Sequence, residues 1–308
     1  MTLHRFTPVR FFNTIGPHSA QLRIADGDTV ITGTLDAHGF DAGNDQLGQD
    51  PNPMSGPFYV EGAEPGDSLS VRIDRIDMDR GHGWTKQGLA WNVVDPAEVS
   101  ALPQRDKIYW EIDRNGQRIV LREPPASLLN WSTPLAPMIG CIGVAPDMGQ
   151  YISTATSGQY GGNMDYRGIG EGTTIYFPVF EHGALLFLGD VHAAQGDGEI
   201  AGTGIETSAQ VQFTVHVLKG GKPRNWPRGE NAKEIFAIGN ARPLEQALQH
   251  ATTEMLNWLM EDYRLDRVSA AHVMAMSVRY DVANVFNPAF SVVCRIGKNT
   301  LQGFSISS

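Results

Sequence analysis

The chain has 308 residues and a formal net charge of −10 at pH 7, with a sequence pI of about 5.3. This acidic balance repels polyanions, which argues against nucleic acid or an anionic membrane surface as a partner. No segment approaches about 18 consecutive apolar residues, so we expect a soluble, cytoplasmic protein with no membrane partner. Two cysteines, Cys141 and Cys294, are too few for a disulfide framework.

The first elements along the chain are predicted to be strands. Residues 69–73 alternate apolar and polar side chains, a pattern typical of a strand with one buried face. The segment "KIYWEIDRNGQRIVL" at 107–121 alternates on both sides of Asn115 and Gly116. Because Asn-Gly readily supplies two positive φ angles, this segment predicts a hairpin with a type I′ turn.

Three further strands are predicted before residue 220. The runs at 176–180 and 185–188 are apolar and are separated by a short polar break. Residues 211–217 alternate again, which predicts a strand whose His216 faces solvent rather than binding a ligand.

Helical spacing appears only in the C-terminal third of the chain. A long helix is predicted to begin at Pro243, because the fixed φ of proline suits the first helical turn. Its apolar stripe consists of Leu244, Ala247, Leu248, Ala251, Met255, Trp258 and Leu259. A shorter helix over 270–276 and strands over 278–282 and 290–296 complete this part.

These elements predict a mainly β protein, of sandwich or barrel type, with a smaller α+β C-terminal part. Glycine, proline and polar residues cluster in "KGGKPRNWPRGEN" at 219–231, which is either a domain boundary or only a long loop. We expect a β-rich domain over 1–218 that carries the functional site, and an α+β subdomain over 219–308.

The polar stretch "GDVHAAQGDGE" at 189–199 directly follows an apolar strand. Gly189 and Asp190 are therefore expected where a buried strand leaves the sheet, a place where side chains can open onto a cleft. Asp190 and His192 are two residues apart and can converge on one metal ion; the alternative is a glycine-rich turn with solvated carboxylates. Neither the HExxH nor the EF-hand pattern fits this spacing.

Four blocks of the sequence resemble the acetamidase/formamidase family. They are "TLDAH" at 34–38, "GPFYVEGAEPGDSLSVRI" at 56–73, "GCIGVAP" at 140–146 and "YGGNMDYRGIGEGTTIYFPVFEHGALLFLGDVHAAQGDGEIAGTGIET" at 160–207. The resemblance implies a metal-dependent hydrolase of small linear amides that releases ammonia and a carboxylate and assembles as a homo-oligomer. The segment 166–170 departs from what usually follows "GGNMD" in the family, which can alter the shape of the pocket.

The resemblance also implies roles for individual residues. Asp36, Asp190 and His192 match the positions assigned to a divalent metal, zinc before other ions. His38 is either an additional ligand or a residue that lines the substrate pocket.

Proton transfer and substrate orientation fall to the remaining polar residues. Glu199 is expected to act as the proton shuttle, with Glu206 and Asp165 as alternatives. Asn163 and Gln195 are expected to orient the substrate, although Asn163 can equally cap a turn.

Nucleophilic side-chain catalysis has little support in this sequence. There is no GxSxG nucleophile elbow, and Cys141 is expected to be a buried structural thiol, since no electropositive neighbour is evident. We therefore expect metal-assisted hydrolysis of short, uncharged primary amides. The alternatives are a non-catalytic protein that binds a metal or small ligand, and a related hydrolase that acts on lactams.

Overall fold

The computed structural model describes residues 1–220 and 225–304. Strands of the first half of the chain are β1 (Leu3–Phe6), β2 (Thr14–Ile15), β3 (Leu22–Ile24), β4 (Thr29–Gly33), β5 (Ser55–Val60), β6 (Ser68–Met78), β7 (His82–Lys86), β8 (Lys107–Asp113), β9 (Arg118–Leu121), β10 (Thr133–Pro134) and β11 (Met138–Gly143). Strands of the second half are β12 (Ile152–Ser153), β13 (Ser157–Gly158), β14 (Gly161–Asn163), β15 (Thr174–Pro178), β16 (Leu186–His192), β17 (Glu206–Thr207), β18 (Ala209–Leu218), β19 (Arg228–Glu230), β20 (Glu234–Ala241), β21 (Arg279–Asn284) and β22 (Phe290–Gly297). Helices α1 (Leu244–Glu261) and α2 (Arg267–Ser277) lie between β20 and β21.

Within the described ranges, most of these strands form two large sheets. The first has nine strands in the order β1-β4-β18-β6-β15-β19-β20-β22-β21. The second has eleven, with the path β10-β9-β8-β7-β17-β16-β11-β14-β13 and with β5 and β3 attached beside β16. Pairing is antiparallel except between β1 and β4 and between β3 and β5. The predicted mainly β fold is therefore confirmed.

The two sheets share one hydrophobic core. Phe58 of the eleven-stranded sheet meets Phe213 of the nine-stranded sheet edge-to-face, with ring centroids 5.2 Å apart. The predicted alternation at 69–73 is seen in β6, where Leu69, Val71 and Ile73 are fully buried in this core. Burial of such aliphatic and aromatic side chains is the main favourable contribution to the stability of a sandwich of this kind.

A second, smaller core lies where α1 covers β20 and β22. Met255 and Trp258 of α1 pack there with Ile235 and Cys294. Because β19 to β22 extend the nine-stranded sheet, the α+β part continues the β-rich part through backbone pairing. Strands on both sides of the predicted boundary at 219–231 thus belong to the same sheet. Residues 221–224 of that segment lie outside the described residues.

The hairpin predicted at 107–121 is confirmed as β8 and β9, but its turn type was wrong. Asp113 pairs with Arg118, which leaves four residues in the loop. The positive φ angle, 49°, falls on Gln117 and not on Asn115 or Gly116. A four-residue loop does not need the two positive φ angles of a type I′ turn.

Helix α1 begins one residue later than predicted, with Pro243 at its N-cap position. Its apolar stripe is buried apart from Leu244, which is half-buried, and Leu248, which is 41% exposed. The buried face instead includes Glu254, whose carboxylate accepts a hydrogen bond from the buried Arg228. The apolar pattern of the helix did not predict that Glu254 is buried. Its burial depends on the ion pair with Arg228, which lies outside the helix.

Two remaining expectations concern exposure. His216 of β18 is exposed and contacts Asp26 at 3.3 Å, which confirms the solvent-facing prediction. Neither of the helices described is long and apolar enough to cross a membrane.

Candidate metal and active site

Strand β16 carries the central residues of the site, and it is longer than the sequence indicated. It continues to His192, so the expectation that the strand leaves the sheet at Gly189 and Asp190 was wrong. The strand pairs with β11 on one side and with β17 on the other. Asp190 adopts a positive φ of 54°, which locally interrupts the regular strand geometry.

A glycine on the neighbouring strand makes room for this irregularity. Gly140 of β11 lies opposite Asp190, in a gap of the ladder between β11 and β16. A Cβ atom at Gly140 would lie 2.5 Å from Asp165 Oδ1 and 2.8 Å from Asp190 Oδ2. The two carboxylates can therefore approach each other only because this position lacks a side chain.

Four carboxylates surround one imidazole. His192 Nε2 lies 3.4 Å from Asp190 Oδ1 and 3.2 Å from Glu206 Oε1. Ligand atoms of Asp190, His192 and Glu206 lie within 4.8 Å of one another, and so do those of Asp165, His192 and Glu199. All five side chains are buried.

Several polar atoms in this cluster are buried and have no hydrogen-bond partner among the residues that the structure describes. They are Asp165 Oδ1, Asp190 Oδ1, His192 Nε2 and Glu206 Oε2. Buried polar atoms are normally paired, since an unpaired one costs free energy. Carboxylate oxygens and an imidazole nitrogen are the donor set that zinc and similar divalent ions accept in proteins. The cluster therefore fits a bound metal ion.

The protonation of the cluster supports the same conclusion. Burial raises the pKa of Asp165 to about 7, helped by the charge of Asp190. Burial also raises the pKa of Glu206 to about 8, and that of Glu199 well above its usual range. Burial lowers the pKa of His192, but Glu206 and Asp190 outweigh this and hold it well above its usual value. In the absence of a cation, protons compensate the buried negative charge.

Gln195 orients the central imidazole. Its Oε1 lies 2.8 Å from His192 Nδ1, and its Nε2 donates to the backbone oxygen of Asp165 at 2.6 Å. Since the amide oxygen can only accept, Nδ1 donates to it, and Nε2 is left as the ring nitrogen that faces the carboxylates and could bind a cation. Substrate binding and support of a metal-binding residue were both open for Gln195 from the sequence, and this contact favours support of His192.

Asn52, which the sequence analysis did not identify, fixes one side of the cluster. Its Nδ2 lies 3.2 Å from Asp190 Oδ2 and 2.9 Å from Asn163 Oδ1. This contact fixes Oδ2 of Asp190, so that Oδ1 faces His192. Nothing in the sequence around Asn52 indicates this contact, since its partners are more than 100 residues away.

Two asparagines, one at the end of β21 and one three residues beyond it, fix the other side, and they were also missed. Asn284 Nδ2 donates to Asp165 Oδ2 at 3.0 Å and to Glu199 Oε2. Asn287 Nδ2 donates to Asp165 Oδ2 at 2.7 Å and to the backbone oxygen of Asn163 at 3.1 Å. Two asparagines in "ANVFNP", directly after a predicted strand, were the available signal. The site thus includes residues from both predicted domains.

Asp36 lies apart from the cluster, and its predicted role as a metal ligand needs correction. Asp36 Oδ2 accepts hydrogen bonds from Arg80 Nη2 at 2.8 Å and from Trp84 Nε1 at 3.0 Å. Oδ1 accepts two more, each 3.0 Å long, from the backbone N–H groups of His38 and Phe40. These four donors use the lone pairs that a metal would need. The structure brings Asp36 to the indole of Trp84 instead.

A pocket of about 330 Å³ opens onto the cluster. Asp190, Glu199 and Glu206 line it, and so does Asn163, whereas Asp165 lies outside the lining. His38 lines the same pocket, which favours the second of its two predicted roles. Its ring packs 4.3 Å from that of Trp84, which forms part of the same wall.

Cys141 lies in β11 and is fully buried. Its Sγ points to the backbone oxygen of Thr154 at 3.8 Å, and burial raises the pKa of the thiol well above its usual value. A thiol with so little thiolate character is a poor nucleophile, as the sequence analysis expected.

The fold and the site define a β-rich protein with a buried histidine–carboxylate cluster at the inner side of a pocket. Known proteins share this fold. The acetamidase/formamidase family matches residues 148–251. The crystal structure of an acetamidase from Yersinia enterocolitica superposes with a TM-score of 0.83 and 30% identity, over 97% of this chain and 93% of the other. This chain belongs to the acetamidase/formamidase family.

Other relatives agree with this assignment. A predicted acetamidase/formamidase from Thermoanaerobacter tengcongensis has a TM-score of 0.86 and 27% identity, over 100% of this chain and 99% of that one. The acetamidase of Mycolicibacterium smegmatis is 30% identical over 66% of this chain, and the match spans 63% of that protein, less than two thirds of its length. A γ-lactamase from Delftia acidovorans, 20% identical with a TM-score of 0.59, shares the fold.

Proposed function

We propose that this protein is a metal-dependent hydrolase of small linear amides that releases ammonia and a carboxylate. The observation that carries the proposal is the set of unpartnered atoms on Asp190, His192 and Glu206, which lie beside a pocket of about 330 Å³. Its relatives support the choice of substrate, since they are named acetamidase and formamidase.

Asp190, His192 and Glu206 are the residues that would hold the ion, and zinc suits this donor set best. A bound divalent cation polarises an amide carbonyl and lowers the pKa of water toward about 7. Gln195 keeps the imidazole in the tautomer that a metal requires, through its 2.8 Å contact with Nδ1. Asn52 holds the second oxygen of Asp190 and so fixes the direction of the first.

Glu199 is the candidate for proton transfer. It lines the pocket, its pKa is raised by burial, and it is not needed in the proposed ligand set. We assign to it the transfer of a proton from the attacking water to the amide nitrogen, which then leaves as ammonia. Asp165 lies behind it, joined through Asn284, so we assign Asp165 to positioning.

Asn163 is the candidate for orienting the substrate. Its Oδ1 accepts a hydrogen bond from Asn52, and among the described residues no acceptor contacts its Nδ2. Since Asn163 lines the pocket, its Nδ2 is available to donate to the carbonyl oxygen of an amide. The family resemblance further supports a cytoplasmic homo-oligomer, which the molar mass in solution would test.

The test is an amide screen on protein of known metal content. Purified protein is analysed for metals, stripped with a chelator and reconstituted with zinc, manganese, cobalt or nickel. Ammonia release is then followed with formamide, acetamide, propionamide, a lactam and a dipeptide. We expect turnover of the linear amides that disappears on stripping and returns with metal. Saturable binding without ammonia release would identify a binding protein instead, and a preference for the lactam would identify a lactamase.

A further inference from the structure

Basic residues lie in the wall of the pocket and beside it, although the protein as a whole is acidic. Lys86 and Arg105 line the pocket, and Lys107 lies beside Lys86 on the neighbouring strand. None of the three forms a salt bridge with any of the described residues. With a net charge of −10, the chain has many carboxylates that could have paired with these groups.

Lys86 and Lys107 occupy directly opposite positions on β7 and β8. Like charges at opposite positions of an antiparallel pair are destabilising. The Lys107 ammonium nitrogen lies 4.0 Å from the centroid of the Trp84 ring, which holds it next to the pocket wall. Burial lowers the pKa of Lys107 and the charge of Lys86 lowers it further, which outweighs the opposing effect of Asp36 and Asp50. An anion between the two ammonium groups would reduce both the repulsion between them and the cost of burying the charge of Lys107.

Arg105 shows a similar lack of compensation. Its Nη2 donates to the backbone oxygen of Ala201, and its guanidinium lies 5.4 Å from the centroid of the Phe286 ring. Its Nη1 is buried and has no acceptor within residues 1–220 and 225–304. A guanidinium nitrogen in this position costs free energy unless an acceptor reaches it, and a carboxylate is its best-matched partner.

The carboxylates of the pocket do not fill this need. Asp190 and Glu206 belong to the proposed metal ligands and Glu199 to proton transfer, and none forms an ion pair with the three basic residues. Asp50 also lines the pocket and its charge acts on Lys107, but Asp50 is exposed and forms no salt bridge within the described part of the chain. The basic residues therefore keep their charge available to a ligand.

We propose that the preferred substrate is a small linear amide that carries a carboxylate, held by Arg105 and Lys86, while its amide group lies at Glu199. This rests on the proposed amide hydrolase function and replaces the expectation of uncharged amides. The reaction is otherwise the same: water adds to the amide carbon, the C–N bond breaks, and ammonia leaves. The product from such a substrate is a dicarboxylate.

The test compares substrates of similar size and different charge. Succinamate, butanamide and 4-aminobutanamide carry a negative, no and a positive charge beside the same kind of amide. We expect kcat/KM for succinamate to exceed that for butanamide by about 10-fold or more at low ionic strength, the range of a charge-assisted hydrogen bond. This preference should shrink with added salt, because salt screens charges near the surface.

Variants then locate the preference. Arg105→Met and Lys86→Met should each lower the ratio of kcat/KM for succinamate to kcat/KM for butanamide by about 10-fold. Lys233→Met, in the turn between β19 and β20, removes one exposed positive charge outside the pocket and is the matched control. Circular dichroism and the melting temperature verify that each variant is folded; if one variant does not fold, the other carries the test.

Equal kcat/KM values for succinamate and butanamide in the wild type would overturn the inference, as would equal losses with both substrates in the variants. In those cases the turnover of butanamide still supports the proposed amide hydrolase. Absence of ammonia from every amide with every metal would instead contradict the proposed function, and the inference would fall with it.

Discussion

His192 Nε2 faces Glu206 Oε1 at a distance of 3.2 Å, across the paired strands β16 and β17. The two residues occupy opposite positions of one antiparallel ladder, so the backbone itself sets their separation. Both side chains are buried, and no described residue forms a hydrogen bond with Glu206 Oε2 or His192 Nε2. A ligand pair held in this way requires little rearrangement to bind an ion.

Replacement of a proposed ligand should remove the metal. We expect Glu206→Gln and His192→Ala to contain less than about one tenth of the wild-type metal and to lose amide hydrolysis, because the remaining donors are too few. Elemental analysis and circular dichroism on the same samples check this. Folded variants with full metal occupancy would contradict the assignment.

Asp36→Asn should behave in the opposite way. Since Asp36 accepts hydrogen bonds from Arg80 and Trp84 rather than joining the cluster, the variant should keep its metal. It should nevertheless be less stable by about 3 kcal/mol, because it leaves the buried guanidinium of Arg80 without its counter-charge. Elemental analysis and urea unfolding of the metal-free protein measure the two effects. Loss of the metal with normal stability would restore Asp36 to the ligand set.

Glu199→Gln keeps the shape of the side chain but removes its ability to accept a proton. We expect hydrolysis to fall by roughly 10² to 10⁴, the usual contribution of general acid–base catalysis, while the metal is retained. Single-turnover kinetics at matched metal occupancy check this prediction. Near-normal turnover would move the role to Asp165.

Asn284→Ala removes the amide that joins Asp165 to Glu199. Outer contacts of this kind change metal affinity or activity by about 10- to 100-fold, and we expect a loss in that range. Thr252→Ala, which removes an exposed hydroxyl that contacts Tyr280, serves as a control in the same C-terminal part. Competition with a metal-sensitive dye measures the affinity. Unchanged affinity and turnover would show that Asn284 only packs.

The lowered pKa of Asp28, which lies away from the site, predicts how the stability of the fold depends on acid pH. Its hydrogen bond with His4, at 2.9 Å, and two backbone N–H groups lower its pKa to about 2. Because the unfolded pKa is about 3.9, this carboxylate stabilises the fold fully above that pH, and the contribution is lost as the pH falls through about 2.

The check is a comparison of Asp28→Asn with the wild type by urea unfolding at several pH values. The variant should be less stable near neutral pH, and the difference should shrink between about pH 4 and pH 2. A difference that stays constant over this range would show that hydrogen bonding, rather than charge, accounts for the loss.

Local patterns predicted much of the fold because each strand alternates within a few residues. The alternation at 69–73 and the buried run before Gly189 required no knowledge of partners. The end of β16 could not be predicted, since it depends on pairing with β11 and β17. The type of the turn after Asp113 was predicted wrongly for a similar reason, because the pairing of β8 with β9 sets the length of the loop.

The site was predictable only where its residues lie close together in sequence. The stretch at 189–199 contains Asp190, His192 and Glu199, which the structure brings together. The role of Asp36 depends on Arg80 and Trp84, 44 and 48 residues away, and could not be derived from "TLDAH" alone.

The contacts of Asn284 also concern the order in which the chain is made. Asn284 follows Glu199 by 85 residues and Asp165 by 119. During translation the four carboxylates therefore leave the ribosome well before the amides that hold two of them. Until β21 has been synthesised, they must remain hydrated or protonated, and an ion captured earlier would meet an incompletely built site. Metal loading is thus expected to be a late, post-translational event, favoured once the last sheet strands have paired.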